Sequence, residues 1–222
     1  MSAIQTFTSF TTSNCYVVTP ENNSDICYII DLPPDVEPAL EYVKNNNLSI
    51  GGCLLTHGHF DHSLGMEKVD GKIYINLDDE FLARNPQEQL SAFTNSELEV
   101  QEYTGELNDI FLFENENIDI FSNPGHTKGS ISYEFKNLGV VFTGDFVFAE
   151  GIGRTDLYSG SLSEMKDSIN NIFLSFNKDL EVFPGHGNTD TVDNILNYNS
   201  YLKEFINGWW CKRDKGIRRW GS

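Results

Sequence analysis

The five histidines constrain this 222-residue chain more than any other feature, because all lie in three turn-like segments that each follow a predicted strand. The segments are Thr56-His57-Gly58-His59-Phe60-Asp61-His62, Pro124-Gly125-His126-Thr127 and Pro184-Gly185-His186-Gly187. None of the five sits on an apolar face, where a lone histidine is ordinarily a satisfied structural residue. His57 and His59 are two apart in an extended loop, so their rings can point the same way and grip one ion, with His126 completing a three-nitrogen face. Asp61 and His62 are adjacent and must diverge, which suits a second ion beside the first, capped by His186. Asp145, in Val141-Phe142-Thr143-Gly144-Asp145, ends a strand after a glycine and could bridge both cations. Five neutral imidazoles and two carboxylates around two divalent ions leave a positive site suited to an anionic substrate. Zinc-type ions bring the pKa of bound water from 15.7 to about 7 and polarise a carbonyl, so hydrolysis is the expected chemistry.

Composition narrows the setting. The length suits one large domain or two small ones, and with 39% hydrophobic residues a sizeable core is available. No apolar run approaches the roughly 18 residues needed to span a bilayer. The formal charge of −18 joins two unlike parts: residues 1–208 carry ten basic and 32 acidic side chains, whereas residues 209–222 carry five basic residues, one acid and all three tryptophans. An acidic body repels phosphate backbones, so nucleic acid is excluded as a partner. Residues 1–208 therefore read as one hydrolase domain, and 209–222 as a basic Trp-rich tail, a disordered or added terminus. The first basic residue is Lys44, so the positive start of a secretory signal is missing and a cytoplasmic location is expected. Cys15, Cys27 and Cys53 lie inside apolar runs and read as reduced core thiols.

Strands are predicted at Ile4–Phe7, Tyr16–Val18, Ile26–Ile30, Ile50–Thr56, Ile118–Phe121, Ile131–Phe135, Val140–Thr143 and Leu180–Phe183. Val36, Leu40 and Val43 give an amphipathic helix closed by Asn45-Asn46-Asn47. The stretch 77–98 reads as irregular helix, and the acidic segment 97–116 as a surface excursion. Ser161-Leu162-Ser163-Glu164 is a capping box opening a helix with Met165, Ile169, Ile172, Phe173 and Phe176 on one face. A last helix runs from Val192 to Ile206. Strands first, helices interspersed and no strict βαβ alternation fit a layered α/β sandwich.

With these residues in place the chain resembles the metallo-β-lactamase fold superfamily, whose HxHxDH signature stands here as His57-x-His59-x-Asp61-His62. Within it, the chain is similar to short glyoxalase II-like hydrolases through Asn14-Cys15-Tyr16, Pro124-Gly125-His126-Thr127, Gly144-Asp145, Gly151-Ile152-Gly153-Arg154-Thr155-Asp156-Leu157 and Pro184-Gly185-His186-Gly187. The resemblance implies a four-layer αββα sandwich with the site at one edge of the paired sheets. It implies that His57, His59 and His126 hold one metal, that Asp61, His62 and His186 hold the other, and that Asp145 bridges. A metal-bridging hydroxide would attack a thioester carbonyl, with Asp61 accepting a proton from the water. The implied substrate is a small anionic thioester such as S-D-lactoylglutathione, with Arg154 near the glutathione carboxylates or paired with Asp156. Imidazole and carboxylate accept Zn, Fe and Mn alike, with Zn expected first. The rival reading is a persulfide dioxygenase with one iron on His57, His126 and Asp145. A β-lactamase and a non-catalytic metal-binding protein are further alternatives.

If an anionic thioester must reach cationic metals past a body at −22, its turnover should rise with moderate salt as the repulsion is screened. Steady-state rates measured across added salt check this, and a steep fall contradicts it.

Overall fold

The structure, a computed structural model, describes residues 3–20, 25–93 and 100–206. Its first sheet takes six strands in chain order: β1 (Ile4–Thr8), β2 (Asn14–Val18), β3 (Ile26–Ile30), β4 (Ser49–Leu54), β5 (Ile73–Ile75) and β6 (Asn108–Asp109). The first three are antiparallel, and from β3 onward each neighbour is parallel. The second sheet takes β7 (Ile118–Ser122), β8 (Ile131–Phe135), β9 (Val140–Gly144), β10 (Glu181–Pro184) and β11 (Asp190–Thr191), in the spatial order β11-β10-β9-β8-β7.

Alternation along the strands sorts the core into three clusters and so builds four layers. On β2, Cys15 and Val17 face α1 (Glu37–Asn45) and its Val43, while Tyr16 and Val18 face the other sheet. On β10, Val182 packs under the outer helices and Phe183 turns to the inter-sheet cluster. Because both faces of each sheet are covered, strands such as Asn14–Val18 and Val140–Gly144 are buried at every position. The αββα sandwich is therefore the observed fold. The three described thiols are free and share the cluster beneath α1. Burial pushes the Cys53 thiol up to about 12, which leaves it without a reactive thiolate.

The helices follow their local signals with instructive departures. α1 ends as its asparagines dictate: Asn47 takes φ +54° and Leu48 N–H returns to Val43 O. Three short helices follow in the first half, α2 (Phe60–Ser63), α3 (Glu80–Arg84) and α4 (Pro86–Phe93). α5 (Leu162–Asn171) starts at Ser161, whose hydroxyl accepts Glu164 N–H, but the capping box is half made. Ser161 N–H donates instead to Gly125 O at 2.8 Å, tying the helix to the His126 turn. Phe176 falls beyond the helix yet remains buried. The acidic segment is not wholly a surface excursion, since Asn108–Asp109 pairs with β5 and Ile110 is fully buried. β5 and β11 carry no sequence prediction because they are too short to show a period. The expected last helix is two, α6 (Val192–Tyr198) and α7 (Ser200–Ile206), broken at Asn199. The tail at 209–222 lies outside the described residues. No helix among the described residues is long and apolar enough to cross a membrane.

Two buried tyrosines stitch the sheets together. Tyr16 Oη donates to Pro184 O and Tyr133 Oη to Leu55 O, each at 2.6 Å and each from one sheet to the other. Tyr133→Phe removes a buried donor and should lower unfolding free energy by about 1–3 kcal/mol. Urea denaturation with an unchanged slope checks it.

Candidate metal centre

Strand direction gathers the histidine turns. β7 and β9 are both antiparallel to β8, and β10 is parallel to β9, so all three run the same way. Their C-terminal ends carry His126, Asp145 and His186 to one edge. β4, from the first sheet, delivers the Thr56–His62 segment to the same edge, where Ile131 N–H donates to Thr56 O at 2.8 Å. Two glycines permit the close approach. Gly144 has φ +51°, and a Cβ there would lie 2.4 Å from Thr56 Oγ1. A Cβ on Gly185 would lie 2.2 Å from an Asp145 carboxylate oxygen.

Three groups of ligand-type atoms result, each with its atoms within 4.8 Å of one another: His57, His59 and His126; His57, His62 and Asp145; Asp61, His62 and His186. All seven residues singled out by sequence are thus brought together. His126 Nε2 is 2.8 Å from His59 Nδ1, and His62 Nε2 is 3.2 Å from His186 Nε2. Asp145 lies between the groups, its Oδ2 3.5 Å from His126 Nε2 and 3.6 Å from His186 Nε2. Asp61 Oδ2 is 3.2 Å from His186 Nε2.

The outer nitrogens show which inner ones are bare. His126 Nδ1 faces the Arg154 carbonyl at 2.7 Å, and a carbonyl only accepts, so Nδ1 holds the proton and Nε2 keeps its lone pair. His62 Nδ1 donates to Asp31 Oδ2 at 2.9 Å, leaving Nε2 inward. Thr56 Oγ1 gives its proton to Asp31 and therefore receives from His57 Nδ1 at 3.1 Å. His57 Nε2 is then a buried lone pair with no hydrogen-bond partner among the described residues, and so is Asp145 Oδ1. Bare imidazole nitrogens and carboxylate oxygens converging in one buried space are the donor set a divalent cation satisfies. The residues fit two such ions.

Electrostatics agree. Burial, reinforced by the neighbouring imidazoles, drives His57 and His59 well below the ordinary histidine range. Burial works the same way on His62, but Asp61, Asp145 and Asp31 overcome it and raise that ring to about 10. For Asp61 burial is outweighed by His62 and His186, which hold its carboxyl well below the usual range. Without a cation the carboxylates recruit protons onto His62, so protons and metal compete for the site.

Several residues that hold the site were not singled out from sequence. Asp31, with φ +61°, accepts Thr56 N–H at 2.7 Å besides the two bonds above. Its signal was available, since it ends a strand as Asp145 does. Asp79 is fully buried and accepts from Gly58 N, Gly129 N and Thr127 Oγ1, joining the His57 and His126 turns. Within Asp78-Asp79-Glu80 nothing distinguishes it from a solvated acid. Asn14 Nδ2 donates to Pro184 O and Gly187 O and so fastens the His186 turn.

The centre opens into a cavity of about 410 Å³ whose apolar lining is Phe60, Phe148, Ile152 and Leu157. Arg154 lines it too, exposed, and makes two bonds to Asp156 at 2.7 and 2.9 Å. Of the two roles expected of this arginine, the pairing with Asp156 is present in the geometry.

Comparison with known proteins adds the lineage. The family profile described as the Metallo-beta-lactamase superfamily matches residues 8–186. An uncharacterised protein of Mycobacterium tuberculosis is 31% identical over 209 residues, covering 86% of this chain and 92% of that one. Hydroxyacylglutathione hydrolase GloC of Haemophilus influenzae is 28% identical, covering 85% and 92%. Among solved structures, the BLEG-1 B3 metallo-beta-lactamase superposes with a TM-score of 0.77 at 26% identity, covering 90% of this chain and 99% of that one.

Asp31→Asn preserves shape but replaces the acceptor of His62 Nδ1–H by an amide. Divalent-metal affinity should fall about 10–100-fold, read by competition against a chromophoric chelator. Wild-type affinity in this variant would remove Asp31 from the site.

Proposed function

Since the chain belongs to the metallo-β-lactamase superfamily, we propose that it is a binuclear metal-dependent thioesterase of the glyoxalase II type. It hydrolyses S-D-lactoylglutathione or a related small acyl thioester. The observation that carries the reading is the pair of inward ligand groups with Asp145 between them at the floor of an open cavity. The likeness to the Haemophilus hydroxyacylglutathione hydrolase supports the thioester as substrate.

In this reading His57, His59 and His126 would hold one cation and Asp61, His62 and His186 the second, with the Asp145 carboxylate available to both. Zinc is the first expectation, and the same donor types accept iron or manganese. Two divalent ions there would supply hydroxide near neutral pH and withdraw electron density from a carbonyl oxygen. The chain's own residues do the rest. Asp31, Thr56 and the Arg154 carbonyl hold protons on the outer nitrogens of His62, His57 and His126, which turns the other nitrogen of each ring toward the site. Asp61 stays ionised and lines the cavity, so its Oδ2 can take the proton released when water attacks. Phe60, Phe148, Ile152 and Leu157 exclude bulk water from the acyl group. Arg154 meets an anionic thiol at the rim, its charge shared with Asp156.

A panel of glutathione and coenzyme A thioesters, assayed on metal-quantified protein, tests this. Hydrolysis with about two metals per chain is expected, and Asp61→Ala should lower turnover by at least about 100-fold. About one iron per chain with oxygen uptake on glutathione persulfide, and no thioester cleavage, would overturn it in favour of the dioxygenase.

A further inference from the structure

The break in the last predicted helix leads to a residue with a second task. Asn199 is buried, with 1% of its surface exposed, and caps α7 by accepting Leu202 N–H on Oδ1 at 2.9 Å. A cap needs nothing more from the side chain. Yet both Nδ2 protons are also spent: they donate to Phe148 O at 3.0 Å and to Gly151 O at 2.9 Å, some fifty residues earlier in the chain. Those two carbonyls are the stems of a tight hairpin. Phe148 N–H donates to Gly151 O at 2.9 Å, and Val147 pairs with Ile152 just outside it.

This hairpin is the cavity wall on the His186 side. Phe148 and Ile152 both line the cavity, and the Phe148 ring stands edge-on to the His186 ring with centroids 6.2 Å apart. A chain continuing helically through residue 199 would direct that side chain elsewhere. By leaving the helix, with ψ at 104°, Asn199 turns one amide onto both hairpin carbonyls. The two hairpin residues that line the cavity, Phe148 and Ile152, are apolar, Glu150 in the turn is exposed and does not line it, and Asn199 adds no charge behind them.

We infer that Asn199 is a positioning residue for substrate: it fixes the Phe148–Ile152 wall, and that wall selects thioesters whose acyl group is branched or aromatic and uncharged over the acetyl group. The acyl part of this inference rests on the thioesterase reading. The clamp does not.

The test uses the whole metal-loaded chain and N-acetylcysteamine thioesters, whose neutral thiol leaves Arg154 out of the comparison. Wild type should prefer isobutyryl or phenylacetyl over acetyl by at least about tenfold in kcat/KM, as apolar pockets discriminate by methylenes. Asn199→Ser keeps a capping oxygen but cannot span the two carbonyls. It should shrink the preference to within about threefold through KM rather than kcat, with metal content unchanged. By hydrogen exchange, amides 148–153 should exchange at least about tenfold faster while 200–206 match wild type. Asn199→Ala, which also loses the cap, should loosen both segments. Phe148→Ala should abolish the same preference, and the double variant should add little to it. An unchanged preference in Asn199→Ser, or an equal loss for every acyl group, overturns the selectivity role. Unchanged exchange at 148–153 overturns the clamp. If wild type cleaves no thioester, the functional reading falls and the acyl preference with it, while the exchange experiment still decides the clamp.

Discussion

The structure depends on holding five imidazoles and two carboxylates in mutual contact with their lone pairs turned inward. Such an arrangement is self-repulsive, because bare nitrogens and oxygens within about 3.5 Å of one another gain nothing without a shared cation or proton. The fold withstands it by anchoring each group from behind. Asp31 binds the outer faces of His62 and Thr56, and through Thr56 that of His57. The Arg154 carbonyl holds His126, and Asn14 and Tyr16 fix the Pro184–Gly187 turn that presents His186. Apart from Arg154, these anchors lie on or just after strands of the first sheet, so the sandwich is as much a device for aligning proton positions as a hydrophobic core.

How much of this was legible in the sequence follows from how local each role is. The HxHxDH segment packs four candidate ligands into six residues, and their relative directions follow from spacing alone. His126, Asp145 and His186 were legible because each sits in a glycine-marked turn after an apolar strand. The two-sided burial of β2 and β9 likewise announced covered sheets. Asp31 showed only its place at a strand end, and Asp79 was not legible as a site residue at all, since a carboxylate's role depends on what donates to it, and the donors to Asp79 come from residues 21 to 50 positions away. The break at Asn199 was hidden for the same reason. Val192, Ile195, Leu202 and Phe205 keep helical spacing across it, and all remain in one cluster under the second sheet.

Charge takes a different meaning once the cavity is known. The strongly acidic composition set the expectation of no nucleic-acid partner, but the cavity itself is walled by phenylalanine, isoleucine and leucine. Its one arginine shares its charge with Asp156 through two bonds. Attraction of an anion would therefore fall to cations held by the His/Asp cluster in the floor, not to the walls. Exposed ion pairs of this kind add little to stability. Their effect here is electrostatic, since the pair lowers the net positive field that the rim would otherwise present.

The two halves of the site are secured by unlike means, and the difference follows from their work. Behind His62 and, through Thr56, His57 stands the acid Asp31, which strengthens the hydrogen bonds that orient those rings and raises the basicity of their other nitrogens, while a carbonyl orients His126. Behind the wall stands a neutral amide. Clamping two carbonyls requires donors, and a lysine or arginine at position 199 would supply them with a full positive charge beside Phe148, whose ring meets His186. Such a charge in a buried setting would oppose any cation held beside His186. An asparagine delivers two donors and one acceptor with no net charge, so it can shape the wall and cap α7 without disturbing the field in which the chemistry takes place.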